Sequence, residues 1–415
     1  MKISIDPVIS SRINAAWKQL TPDQQRALGP MVLSGNQQAV AVAQTGKAPV
    51  ASAVPQQLLL AHSALSNDSD GVLAGLEAGA VIDVSPEGVI WGTGKYQELD
   101  PGWAEAFAVY LESLLPVFGG KHPFMVDPQV ITIPNDVQIG LAGDWGTGNW
   151  RTAANPAPST DVGNHMAMLQ PHLTIHLGDV YYAGTSDQEQ HLLVNIWPKG
   201  SIGSLALNAN HEMYSGSKPY FAAISSATSP FAMQKGYSYF ALQNDHWAIV
   251  GLDSAYFSPE EGLYMDGSLG PDQGTQVMFL QQQVATGKKV IVLTHHNGLA
   301  ADGSSTTGLW AQVMSAFPAG AGPAYWYWGH VHIGAVYQPK PPANVMCRCI
   351  GHGALPWGQA SELASNANVV WYETRSADDP DIPERVLNGF AMLYLEGPNF
   401  QEVLYDENGG VAWPQ

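Results

Sequence analysis

Two hydrophobic periods divide the chain. In the first third apolar residues return at helical spacing, with Val8, Ile9, Ile13, Trp17 and Leu20 near one face. Thr21-Pro22-Asp23-Gln24 restarts a helix: a hydroxyl caps it, proline takes the first position and Gln stands where a capping box needs it. A softer Ala/Gly/Gln stretch runs from about Asn36 to Ala53, and an apolar helix from Pro55 to about Ser66. Val81–Val84 and Val89–Trp91 form a hairpin around Ser85-Pro86-Glu87-Gly88, and Asp100-Pro101 opens a helix that reaches Leu115. Phe118 to Asn135 carries Gly-Gly and three prolines without a helical period, the pattern of a linker.

From Val137 the period changes to strands alternating with helices, the latter at Asp161–Leu169 and Asp272–Thr286. Tyr237 to Asp253 reads as a hairpin turning at Gln243-Asn244-Asp245. Strands follow at Gly334–Tyr337, Asn344–Ile350, Val369–Tyr372, Gly389–Leu395 and Gln401–Tyr405. The pattern predicts a mainly helical region over 1–118, a linker over 119–135, and a layered α/β sandwich over 136–415 with its site at the strand edge.

Five strand ends carry the chemistry. They deliver Asp144; Asp179 followed by Tyr181 and Tyr182; Asn210 and His211; His295 and His296; and His330 and His332. Carboxylates, imidazoles, an amide oxygen and a phenol are ligands for cations such as Fe, Mn and Zn, and there are more of them than one ion needs. A carboxylate such as Asp179, set among the others, can bridge two ions roughly 3.5–4 Å apart.

Charge sharpens this reading. With 17 Lys+Arg against 36 Asp+Glu, the net charge is −19. Such a field disfavours nucleic acid and anionic membranes, so a small phosphorylated substrate has to be attracted locally, by bound cations. Charged residues are only 13%, while Gly (43), Pro (29) and Trp (13) are plentiful, as in a loop-rich globule. Cys347 and Cys349 alternate onto one face of a strand and read as packed, reduced thiols. No apolar run approaches about 18 residues. The N-terminus lacks a signal-peptide pattern, which makes the cytoplasm the default location and leaves secretion open.

Gly143-Asp144-x-Gly146, Gly178-Asp179-x-x-Tyr182, Asn210-His211-Glu212, Val292-x-x-His295 and Gly329-His330-x-His332 resemble, in order, the five blocks of calcineurin-like metallophosphoesterases. In detail they look like purple acid phosphatases. Gly146 stands where the wider superfamily has a histidine, and the Asp-x-x-Tyr spacing puts Tyr182 in its place. The resemblance implies an α/β/β/α sandwich holding two metal ions. Asp144, Tyr182 and His332 would hold the first ion, Asn210, His295 and His330 the second, and Asp179 would bridge. Fe is implied at the first position and Fe, Zn or Mn at the second.

The implied activity is hydrolysis of phosphate monoesters or diesters by a metal-activated hydroxide, with His211 as proton donor or phosphoryl hydrogen-bond donor. Alternatives are a nucleotide diester or pyrophosphate hydrolase on the same metals, and a non-catalytic binding module on the same fold. His296 adjoins His295, and the family pattern selects His295. Tyr181 adjoins Tyr182, and the three-residue spacing selects Tyr182, which leaves Tyr181 to the core or to support of the ligands. Arg151 is as well placed in a structural loop as on a phosphate, and His352, Glu212, Tyr214 and Tyr220 read as supporting or buried residues. Residues 1–118 show no chemistry of their own and are expected to pack on, or oligomerise, the remainder.

Overall fold

The computed structural model describes residues 4–50, 54–66 and 72–414. Helix α1 (Pro7–Trp17) is capped by the Asp6 carboxylate, which accepts from the Val8 amide. Helix α2 (Pro22–Thr45) has both arms of the Thr21/Gln24 capping box and ends at Gly46 in the left-handed conformation. The soft stretch from Asn36 therefore extends this helix, since Ala and Gln are good helix formers. Its residues 51–53 lie outside the described residues. The expected helix from Pro55 divides into a single 3₁₀ turn (Gln56–Leu58) and α3 (Ala61–Leu65). Strands β1 (Val81–Val84) and β2 (Ile90–Gly92) pair antiparallel, and α4 (Trp103–Ser113) follows.

The sandwich is built from two sheets. The strands are β3 (Ile131–Thr132), β4 (Asp136–Ala142), β5 (Leu173–His176), β6 (Gly203–Ala206), β7 (Phe240–Gln243), β8 (Trp247–Gly251), β9 (Lys289–Thr294), β10 (Tyr325–Trp328), β11 (Gly334–Tyr337), β12 (Met346–Ile350), β13 (Val369–Tyr372), β14 (Gly389–Glu396), β15 (Asn399–Asp406) and β16 (Val411–Trp413). One sheet has the order β13-β11-β12-β10-β9-β8-β7-β3 and the other β16-β15-β14-β4-β5-β6. The helices here are α5 (Pro158–Met168), α6 (Ser186–Gln188, continued by a π turn Glu189–Val194), α7 (Asn210–Tyr214), α8 (Lys218–Ser225), α9 (Thr275–Val284) and α10 (Gly308–Met314).

Alternation along the strands assigns the layers. Ile139 and Leu141, Ile175, Ile291 and Leu293, and Leu393 fill the space between the sheets. Their neighbours Val290 and Val292, with Trp326 and both cysteines, pack outward against α9 and α10. On the other sheet Ala142, Phe390 and Met392 meet α5 and α8. The result is an α/β/β/α sandwich, the fold class expected above. A buried ion pair ties the sheets together: Arg348 Nε on β12 donates to Glu402 Oε1 on β15 at 2.9 Å, and the Tyr327 hydroxyl donates to the other oxygen.

Two features position the site. Strands β4, β5 and β6 are parallel to one another, as are β8, β9, β10 and β12, so their C-terminal ends gather the loops that follow along one edge. In addition, the N-terminal helices do not stand apart. Ile13, Leu58, Trp103 and Phe107 share one buried cluster with Tyr181, Tyr182, Met213, Tyr214, Tyr264 and Leu355 from those loops. Within 119–135, β3 pairs with β7 and so belongs to the eight-stranded sheet. Among the described residues no helix is long and apolar enough to cross a membrane.

Candidate metal centre

Each loop that leaves this edge is latched to its neighbours. The Gly143 amide donates to the Ile350 carbonyl, the Asp144 amide to the Gly178 carbonyl, and the His330 amide to Asp144 Oδ2 at 2.8 Å. Asp144, Asp179 and His330 have φ of 56°, 76° and 64°, a left-handed conformation that residues other than glycine adopt at a cost and that clusters at functional sites. Two glycines are required by close approach. A methyl on Gly178 would lie 2.6 Å from the Ala209 Cβ and 2.8 Å from His295 Nδ1. One on Gly146 would lie 2.6 Å from the Asp179 carbonyl oxygen, so no histidine fits there without moving the loop. Ala209, by contrast, is extended (φ −141°) and has no need of a glycine.

The polar atoms form two groups that meet at Asp179. In the first, the Tyr181 hydroxyl lies 3.1 Å from Asp144 Oδ1, 3.1 Å from Asp179 Oδ2 and 3.3 Å from His332 Nε2. In the second, His295 Nε2 lies 2.9 Å from Asn210 Oδ1, and His330 Nδ1 lies 3.2 Å from each of them. Asp179 Oδ1 approaches this second group, 3.5 Å from His295 Nε2. One oxygen of Asp179 thus faces each group.

The second group tests whether a cation fits. His295 Nδ1 bonds the Leu177 carbonyl at 2.9 Å, which makes it the donor and leaves a lone pair on Nε2. His330 turns Nδ1 toward His295 Nε2 and Asn210 Oδ1. Asn210 directs its NH₂ at the Tyr214 hydroxyl (3.3 Å) and its carbonyl oxygen inward. Two imidazole nitrogens and an amide oxygen converge within 3.2 Å of one another, a donor set that suits a cation. The first group suits one too. Desolvation raises the Asp144 carboxyl to about 7, and Asp179 also rises, chiefly by desolvation and further through the Asp144 charge. Buried carboxylates of this kind need a positive partner. Desolvation lowers His295 and His330 well below the usual imidazole value, which keeps them neutral and able to ligate.

His296 is within ligand distance of His295 and His330, yet both its nitrogens are engaged, with Ser254 Oγ at 2.9 Å and the Tyr264 carbonyl at 2.8 Å. Asp144, Asp179, Asn210, His295, His330 and His332 come together. Tyr182 does not join them. Its hydroxyl donates to Asp100, and its ring packs edge-on to Trp103 (4.8 Å between centroids) beneath Lys95 Nζ, 4.3 Å away. The phenol beside Asp144 is that of Tyr181. The residue that the three-residue spacing selects, Tyr182, has its side chain taken up by the N-terminal region. His211 Nδ1 bonds the Tyr182 carbonyl at 2.6 Å, and Nε2 faces Asp179 Oδ2 at 3.9 Å.

The supporting residues sort themselves. The Tyr214 hydroxyl is within hydrogen-bond distance of both Asn210 Nδ2 and Gln57 Nε2. Arg151 is held by Asp379 at 2.7 Å, as a structural residue. His352 lies behind His332 on a cavity of about 10 Å³ shared with Glu373 and Asn388. Tyr220 bonds the Ala206 carbonyl.

A cleft of about 390 Å³ opens onto His330 and His332. Met265, Val331 and Trp357 form one wall, and Val54, Pro55, Gln56, Val89 and Glu98 of the N-terminal region form the other. Sequence reasoning did not find that second wall, because no motif in 1–118 marks it. Burial pushes the Glu98 carboxyl up to about 8.

No protein-family model matches the chain, and neither does any curated protein. Several solved structures are similar. The GAP50 anchor of the inner membrane complex of Plasmodium is 11% identical, with a TM-score of 0.47 over 67% of this chain and 87% of that one. A purple acid phosphatase from yellow lupin seeds is 13% identical, with a TM-score of 0.45 over 67% of this chain and 53% of that one. A dimetal phosphatase from Danio rerio is 14% identical, with a TM-score of 0.40 over 68% of this chain and 96% of that one.

Proposed function

We propose that the chain is a two-metal phosphoesterase that hydrolyses phosphate monoesters or diesters of small molecules. The observation that carries this reading is the pair of acceptor clusters joined by the two oxygens of Asp179. Asp144, Tyr181 and His332 are then the ligands of one ion, Asn210, His295 and His330 those of the other, and Asp179 the bridge. Tyr181 replaces Tyr182 in this assignment. Bound cations would polarise the phosphoryl oxygens and lower the pKa of a water nucleophile. A phenolate ligand suits ferric iron at the first position, and imidazole with amide oxygen at the second accommodates Fe, Zn or Mn.

The chain supplies the rest. His211, whose Nδ1 donates to the Tyr182 carbonyl, presents Nε2 beside the bridging carboxylate; burial lowers its pKa and the Asp179 charge opposes that, and as imidazolium it would give the leaving oxygen its proton. The N-terminal region forms one wall of the approach. The net negative charge favours a small substrate over a nucleic acid or a membrane surface.

The test is reconstitution with Fe, Zn or Mn, a count of bound ions by elemental analysis, and turnover of chromogenic monoesters and diesters. Asp179→Asn should lose an ion and slow turnover by about 100-fold or more, beyond what loss of an outer partner costs. Wild-type protein that binds no ion, or Asp179→Asn with both ions and full rate, would sink the proposal.

A further inference from the structure

We propose that the N-terminal wall of the cleft, centred on Glu98, makes the site selective for esters with one phosphate and an apolar leaving group, and rejects substrates with a second phosphate. This rests on the phosphoesterase reading and adds the substrate class. The cleft leads straight to His330 and His332, so whatever is attached to a reacting phosphoryl group must lie along its walls. Those walls are mainly apolar, formed by Val54, Pro55, Val89, Met265 and Trp357, and among the described residues no Lys or Arg lines them. Recognition of a second phosphate ordinarily uses cationic donors, above all the paired N–H groups of arginine. Here a carboxyl occupies the place such a donor would take.

The turn that carries it is held on both sides. Glu98 sits in a turn whose Leu99 amide donates to the Gly92 carbonyl and whose own amide donates to the Ile90 carbonyl. Trp103 Nε1 holds the Gln97 carbonyl at 2.8 Å from the other side. The residue is 7% exposed, and its carboxyl has no hydrogen-bond or ion-pair partner among the described residues. Lys95 is drawn instead to Asp100 and Glu105. Ionised, the Glu98 carboxyl repels a second anion. Neutral, it still offers none of the attraction a lysine would. In either state the wall favours an aryl or alkyl group, which can lie against Trp357 and Met265.

The experiment uses full-length, metal-loaded protein. It compares kcat/KM for 4-nitrophenyl phosphate with that for ATP and pyrophosphate, and calorimetric binding of phenylphosphonate with that of pyrophosphate. Glu98→Gln and Glu98→Lys are measured alongside, with circular dichroism and ion content as controls. The aryl ester and phenylphosphonate should be preferred by wild type. Glu98→Lys should narrow both preferences about tenfold or more, through KM and Kd, because it sets a cation where the wall has none; Glu98→Gln should move them in the same direction by less, and only where Glu98 is ionised. Turnover with equal preference for aryl and polyphosphate substrates, or preferences unmoved in Glu98→Lys, would overturn the selectivity while leaving the phosphoesterase intact. No turnover of any ester with two ions bound would remove the phosphoesterase reading and this inference with it.

Discussion

At the scale of single residues the decisive pair is Tyr181 and Tyr182. Adjacent phenols diverge, one to Asp144 and Asp179, the other to Asp100. If ferric iron occupies the first position, Tyr181→Phe should abolish the visible phenolate-to-iron band and Tyr182→Phe should retain it, as read by absorption of the reconstituted protein. A band lost only in Tyr182→Phe would restore the assignment by spacing. The residue types at the strand ends were legible in the sequence, because each closes an apolar run. Which of two neighbours turns inward was legible only in part. His295 over His296 follows from family spacing and agrees with the partners that occupy both His296 nitrogens. The choice between the tyrosines depended on a segment some eighty positions upstream, and no local pattern carries that information.

At the scale of elements, long alternating strands such as β14 and β15 were readable from their own period. Short helices were not: α8 and α10 carry too few turns to establish one. The turn that follows α6 and the short α7 bring two buried carboxyls together. Neither oxygen of Glu189 or of Glu212 has a partner among the described residues. Burial raises both above the ordinary carboxyl range, and the Glu189 charge pushes Glu212 further. A folded-state pKa above the unfolded one means that the folded chain holds the proton more tightly. Stability is therefore fully present below about pH 4 and is lost as pH rises through the folded value. Glu189→Gln should flatten this decline and stabilise the protein by roughly 1 kcal/mol or more at about pH 8, measured by denaturant unfolding across pH. A variant with an unchanged pH slope would show that the pair is relieved in some other way.

At the scale of the whole molecule, the N-terminal third is part of the core beneath the site. Trp103 lies 5.9 Å from Tyr181 and 5.8 Å from His211, ring to ring, and Gln57 reaches Asn210 through Tyr214. The sequence showed helices there but not what they cover, since an apolar helical face reads the same whatever packs against it. Removal of residues 1–118 should expose Tyr182, Tyr214 and Tyr264 and yield protein that is aggregated or deficient in metal, by light scattering and elemental analysis. A soluble fragment with full metal content and rate would show that the region is dispensable.

The pairing of β4 with β14 has a further consequence. Leu141, two residues before the first site loop, lies opposite Ala391, near the far end of the chain. A contact so distant in sequence cannot form until the later strand has been made, and it slows the search afterwards. Helices α1 to α4 must likewise wait, apolar faces uncovered, for partners as far along the chain as Leu355. For this chain, time spent incompletely folded is set by topology, and helices α1 to α4 are the stretch that most needs shielding until their later partners arrive.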